Sequence, residues 1–162
     1  MSDAASLLVA ALRWDPGHGF DHLADFIDDA IDIGVGGFLL FGGTRDAVAV
    51  LTAKLHSRSR VPLLIAADAE RGAGQQFEGC IGLPPLGAIT ALDDPDALRR
   101  AAQITARELK AIGLNWALAP VCDLDVPPLN PIVGTRAAAG DPERAGALLA
   151  EWIDACQAEG VL

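Results

Sequence analysis

Apolar residues fall into two kinds of pattern along this chain. Short continuous runs at Ser6–Leu12, Gly37–Phe41, Pro62–Ala67 and Leu114–Val121 predict four strands. Between them, apolar residues recur every three or four positions. Leu23, Phe26, Ile27, Ala30 and Ile31 predict a helix over Asp21–Ile33, and Val48, Leu51, Thr52 and Leu55 predict one over Arg45–Ser57. A third helix opens at Asp94-Pro95, carries Leu98, Ala101, Ala102, Thr105, Leu109 and Ile112, and stops at Gly113. A fourth spans Asp141–Glu159, with Leu148, Leu149, Trp152, Ile153 and Cys156 on its apolar side. Both Asp-Pro pairs are helix starts, since Asp supplies a cap acceptor and Pro at the first helical position lacks a hydrogen that had no partner anyway. The stretch from Asp68 to about Ala91 and the one from Val121 to Gly140 read as long irregular loops.

Strands two to four are nearly unbroken apolar runs, the pattern of parallel strands covered on both faces. Strands alternating with helices predict right-handed βαβ units. The fold class is therefore α/β, a partial (β/α)8 TIM-type barrel of roughly the first four βα units. Residues 1–162 are expected to be the amino-terminal portion of one barrel domain, incomplete, because a whole barrel takes about 250 residues. Gly160-Val161-Leu162 reads as the opening of a further strand. Such a piece is expected to be poorly stable alone, with apolar edges open to aggregation or dimerisation, and to turn nothing over. Both long loops follow strands, on the side that carries the site in barrels and open α/β sheets.

Composition narrows the partners. Hydrophobic residues make up 51% of the chain, enough for a core, and acidic residues outnumber basic ones 22 to 12 for a net charge of −10. That charge disfavours nucleic acid and anionic membranes. No apolar run reaches the ~18 residues of a membrane span. The apolar stretch Ala4–Leu12 follows Asp3 with no Lys or Arg before it, so it reads as a strand rather than a signal-peptide core. Cys80, Cys122 and Cys156 show neither metal spacing nor a disulfide framework, which fits a reduced, cytoplasmic setting.

Two carboxylate clusters lie at strand ends. Asp68 and Glu70 share a face if strand three continues through them; otherwise Asp68 caps a turn and Glu70 pairs with Arg71. Asp123 and Asp125 repeat the spacing after strand four, and one of them is expected to brace loop amides. Four carboxylates on one rim leave open a Mg²⁺-binding, self-contained doubly wound α/β domain. Arg136, in Asn130-Pro131-Ile132-Val133-Gly134-Thr135-Arg136, offers a planar fork for carboxylate or hydroxyl oxygens, or simply pairs with nearby acids. Arg71-Gly72-Ala73-Gly74-Gln75 lacks the third Gly of a dinucleotide fingerprint. His18 reads as a turn residue, His22 and His56 as residues of solvated helix faces, and Cys122 as a buried thiol. Trp14, Trp116 and Trp152 are too dispersed for a sugar platform.

Five stretches in order carry a resemblance. They are Gly36-Gly37-Phe38-Leu39-Leu40-Phe41, then Pro62 through Glu70, Leu83-Pro84-Pro85-Leu86, Ala119 through Leu124, and Asn130 through Arg136 followed by Asp141-Pro142. Together they resemble the amino-terminal barrel domain of glycoside hydrolase family 3, nearest its β-N-acetylhexosaminidase branch and β-glucosidase-like relatives. The resemblance implies a retaining exo-β-glycosidase acting on a small carbohydrate substrate without cofactor or metal. It implies that Asp68 binds sugar hydroxyls and that Arg136 contacts the sugar. A second sugar-contacting Arg of that branch is matched here by Gln76, whose amide can bond a hydroxyl but carries no charge. The branch's acid/base His lies in a Lys-His-Phe-Pro-Gly-His-Gly loop beyond the fifth strand, and its nucleophilic Asp lies later, so the resemblance places no catalytic residue in these 162 residues. A non-catalytic sugar-binding remnant is the remaining alternative.

Overall fold

The computed structural model of the chain describes residues 4–126 and 130–162; segment 127–129 of the long loop after the fourth strand lies outside them. Four strands, β1 (Val9–Arg13), β2 (Gly37–Phe41), β3 (Leu64–Asp68) and β4 (Trp116–Leu118), form one parallel sheet in the order β1-β2-β3-β4. Helices α1 (Ala24–Ile33), α2 (Arg45–Arg58), α3 (Leu86–Thr90), α4 (Pro95–Ala111) and α5 (Pro142–Ala158) complete the fold. The strand order is the sequence order, without the reversal that a doubly wound sheet carries.

One residue in two along each strand enters the main core. Leu12, Phe38, Leu40, Ile65, Ala67 and Ala117 are buried with Ile27 of α1, Leu51 and Leu55 of α2, and Leu98 and Leu109 of α4. Full burial of one such Leu or Phe stabilises by about 1.5–3 kcal/mol. The alternate positions form a second face that is far less covered: Val9 is 42% and Leu64 38% exposed, and Leu39, Phe41, Asp68, Trp116 and Leu118 are half-buried. The expectation of strands covered on both faces is thus corrected for the described residues. The apolar runs are unbroken because the second face is apolar as well, although it stands half-open.

The sheet is close-set at two glycines. A Cβ on Gly36 would lie 1.9 Å from the Ser6 carbonyl oxygen, and one on Gly37 would lie 2.1 Å from that of Leu64. Three helix starts are capped as their sequences dictate. Thr44 Oγ1 accepts from the Ala47 amide, an Asp94 carboxylate oxygen from Asp96, and an Asp141 oxygen from Arg144. Each such cap contributes about 1 kcal/mol.

Three elements differ from the sequence reading. Residues Ala5–Leu7 form a 3₁₀ turn and β1 starts at Val9, which pairs with Gly37. β4 is only Trp116–Leu118, because Pro120 has no N–H to give a ladder. Within the stretch expected to be irregular, Leu86–Thr90 is a short helix, buried through Leu86, Ile89 and Thr90. The free side of β4 also has a neighbour. The Leu162 amide donates to Asn115 O at 2.9 Å, and the Ala117 amide donates to Leu162 O at 2.7 Å.

Candidate functional site

The strand register brings four side chains into one row at the carboxyl ends of the strands. Arg13 pairs with Phe41, Leu39 with Ala66, and Asp68 with Leu118. Extending the β2–β3 register by two residues sets Phe41 beside Asp68, so Arg13, Phe41, Asp68 and Leu118 end the half-open face together. Neighbouring strands are about 4.8 Å apart, which leaves roughly 10 Å between Arg13 and Asp68 along the row. The Arg13 guanidinium carbon lies 4.0 Å from the centroid of the Phe41 ring, a cation–π contact. Asp68 is half-buried, and among the described residues no donor reaches its carboxylate.

Sequence reasoning did not single out Arg13 and Phe41. Strand one was expected to end at Leu12, which removed Arg13 from the sheet. The apolar–polar alternation of Leu12 and Arg13 is the sequence signal that could have found it.

Beyond β3 the chain turns at Gly72 (φ +77), and Glu70 lies two residues past the strand's end. It does not pair with Arg71, whose Nε donates to Leu83 O at 3.4 Å. Glu70 instead meets Arg136 across 66 residues: Nε donates to Glu70 Oε2 and Nη2 to Glu70 Oε1, both at 2.8 Å. Arg136 Nη1 donates to Ile132 O at 3.0 Å, folding the Gly134–Arg136 turn over its own loop. Hydrogen bonding to Glu70 raises the Arg136 pKa above its ordinary value, with the charge of Glu70 next and those of Asp123 and Asp68 adding to it. Glu70 is the more covered partner, its side chain 18% exposed against 41% for Arg136. Pro85, Leu86, Pro120, Val121 and Trp152 line the narrow cleft around the pair.

The short helix α3 explains why that loop stays in place. Thr90 Oγ1 donates to Ala138 O at 2.7 Å in the interior. Gly87 lets the loop backbone come so near that a Cβ there would be 2.9 Å from Ala137 O and 3.0 Å from Thr135 O. The loop after β3 is held from the other side. Glu108 on α4 accepts the Ile81 amide at 2.6 Å and lies 3.7 Å from Arg45.

Gln76 sits on this latched loop, and its Oε1 accepts the Gly42 amide at 3.2 Å. Its carbonyl therefore ties the loop to the end of β2, next to Phe41. Asp123 is exposed near Arg136. Neither Asp123 nor Asp125 accepts a loop amide among the described residues; Asp125 braces the loop through its own backbone N–H, which donates to Ala139 O at 3.3 Å. The four carboxylates do not come together as a metal set: among the described residues no group of three or more His, Cys, Asp or Glu is arranged to hold an ion.

The two histidines with partners are engaged elsewhere. His18 Nδ1 is 3.0 Å from Asp15 Oδ1 within its turn, and exposed His56 reaches Gly113 O with Nε2 at 3.1 Å. Cys122 is exposed rather than buried; the buried thiol is Cys156, which burial pushes up to about 11. A hollow of about 390 Å³ between α1 and α2, lined by Trp14, Phe20, Ile27, Leu51 and Lys54 among others, includes none of the mouth residues. Among the described residues no helix is long and apolar enough to cross a membrane.

Known proteins resemble this chain in sequence and fold. The sequence pattern of the glycosyl hydrolase family 3 N-terminal domain matches residues 30–162. A beta-N-acetylglucosaminidase/beta-glucosidase of Cellulomonas fimi is 39% identical over 127 residues, covering 78% of this chain and 22% of that protein. The fold superposes on a beta-glucoside phosphorylase bound to 2FGlc with a TM-score of 0.85 and 26% identity, over 100% of this chain and 29% of that one. A glycoside hydrolase family 3 beta-N-acetylglucosaminidase from Paenibacillus sp. str. FPU-7 gives a TM-score of 0.81 and 29% identity, over 97% of this chain and 30% of that one. This chain thus spans less than a third of each of these three relatives. With the family pattern matching residues 30–162, the chain belongs to the glycosyl hydrolase family 3 N-terminal domain family.

Proposed function

We propose that these residues form the first four βα units of a (β/α)8 barrel in a retaining exo-β-glycosidase. The enzyme removes terminal β-linked sugars, β-N-acetylhexosaminides first and β-glucosides as the alternative. Strand order equal to sequence order, helices packed on one face and a half-open apolar second face support the barrel. The observation that carries the sugar site is the Asp68 carboxylate. It stands at the carboxyl end of β3 with no donor engaged among the described residues, in a row with Arg13 and Phe41 and close enough to Arg136 for their charges to act on each other.

In this reading Asp68 accepts hydrogen bonds from hydroxyls of the terminal sugar, and Arg136 donates the N–H groups that Glu70 and Ile132 leave free. Hydrogen bonds to ring hydroxyls that strengthen toward an oxocarbenium-like transition state supply several kcal/mol in such enzymes. The attacking carboxylate and the acid/base group come from chain beyond these residues. A carboxylate displaces the leaving group at the anomeric carbon, the departing oxygen takes a proton, and water then hydrolyses the glycosyl-enzyme. The carbohydrate is the only partner the site calls for, and the unpaired thiols suit a cytoplasmic setting.

Release of nitrophenol by the full-length protein from nitrophenyl β-N-acetylglucosaminide and β-glucoside, with and without inorganic phosphate, tests this. Turnover that is independent of phosphate and falls at least tenfold in Asp68→Ala is expected. Turnover only with phosphate would make the enzyme a phosphorylase, and equal turnover by Asp68→Ala would remove Asp68 from the site.

A further inference from the structure

We propose that Glu70 is a specificity-determining positioning residue: it fixes the Arg136 fork and cancels its charge, so that the mouth selects uncharged sugars over anionic ones. The inference rests on the glycosidase reading of the same site.

The geometry accounts for the guanidinium almost completely. Arg has five N–H bonds. The Nε hydrogen and one on Nη2 go to the two oxygens of Glu70, and one on Nη1 goes to Ile132 O. One hydrogen on each terminal nitrogen is left, and the side-on pairing with Glu70 permits only one plane for them. Loop and strand are each anchored independently, by α3 through Thr90 and by the β3 ladder. Glu70 therefore joins two fixed bodies through one planar contact, and it sets where the two free hydrogens sit.

The same contact settles the local charge. Glu70 neutralises Arg136, and Asp68 and Asp123 add two further negative charges near it. Arg13 is held over the Phe41 ring, two strands away from Asp68. A sugar hydroxyl meets donors and acceptors here, whereas a sugar carboxylate meets a guanidinium whose charge is already matched and two carboxylates that repel it. Like-charge juxtaposition of this kind discriminates by several kcal/mol in recognition sites, roughly a hundredfold or more.

The test compares kcat/KM of the full-length protein for nitrophenyl β-glucoside, β-N-acetylglucosaminide and β-glucuronide. Wild type is expected to disfavour the glucuronide by roughly a hundredfold. Glu70→Gln keeps the shape and removes the charge. Its KM for neutral substrates is expected to rise by about tenfold, with a smaller effect on kcat, and its glucuronide-to-glucoside ratio to rise by about tenfold. Glu70→Asp keeps the charge but shortens the reach, so it should weaken neutral substrates while leaving that ratio unchanged. A merely structural role would lower all three substrates together. An unchanged ratio in Glu70→Gln, or a wild type that accepts the glucuronide as readily as the glucoside, overturns the proposal. If no glycoside is turned over, the glycosidase reading fails on its own. Calorimetric binding of glucose against glucuronate to wild type and Glu70→Gln then reads the same ratio, and absence of any preference for glucose overturns the proposal.

Discussion

Both backbone polar groups of Ile65 go to Asn115. The Ile65 amide donates to Asn115 Oδ1 at 2.8 Å, and the Asn115 amide donates to Ile65 O at 3.1 Å. Asn115 Nδ2 also donates to Leu63 O at 2.9 Å, so one carboxamide serves as the first rung between β3 and β4. Asn115→Ala leaves the Ile65 N–H and Leu63 C=O without these partners. It should cost about 2–3 kcal/mol, read as a lower denaturant midpoint at unchanged slope.

Gly37 admits no side chain, since a Cβ there would meet Leu64 backbone 2.1 Å away in the middle of the β2–β3 pairing. Gly37→Ala must push two strands apart. The expected loss exceeds about 3 kcal/mol, visible as insoluble protein or a collapsed melting transition. Gly146, whose Cβ would meet nothing within 4 Å, is the control that should tolerate Ala.

Asp68 lies at the centre of the proposed sugar contacts. Asp68→Asn keeps the size but replaces half of the acceptor capacity with a donor. In the full-length enzyme kcat/KM for neutral β-glycosides should fall by roughly 10²-fold or more, with the melting temperature nearly unchanged because nothing among the described residues bonds to the carboxylate.

Cys156 gives a pH signature. Its folded-state pKa is raised to about 11 from an ordinary value near 9.0 by burial. The unfolded chain therefore loses this proton first. Its contribution to stability is complete below pH 9, declines as pH rises, and is gone above about 11. Denaturation midpoints should fall over that window in wild type and fall less in Cys156→Ala. At pH 7.5 a maleimide should label exposed Cys122 in the native protein and reach Cys156 only after unfolding.

The legible parts of the fold were those fixed by local rules. β2 runs over Gly37–Phe41 as its apolar run predicts, and Asp94 and Asp141 of the Asp-Pro starts accept the amides of Asp96 and Arg144 as caps. Three local inferences failed where distant contacts decide. Leu86–Thr90 carries too few apolar positions to declare a helix, yet Thr90 and Gly87 fasten it to the 135–138 backbone. Arg71 is the neighbour of Glu70 in sequence, but Arg136 is the neighbour in space. Cys122, with no histidine partner legible in the sequence, reads as a buried thiol, and the loop carries it outward.

The order of strands and helices, their caps, and the presence of Asp68, Gln76 and Arg136 on the loop side were determined by the sequence alone, because each depends on residues within a turn or two of one another. Only the tertiary structure decided what those residues do together. The register that sets Arg13, Phe41 and Asp68 in one row, the turning of Gln76 onto Gly42 and the closure of Glu70 on Arg136 are contacts across 28 to 66 positions. Strand register and loop anchoring are settled by burial of faces and pairing of polar groups over the whole sheet, and no short window of sequence contains those terms.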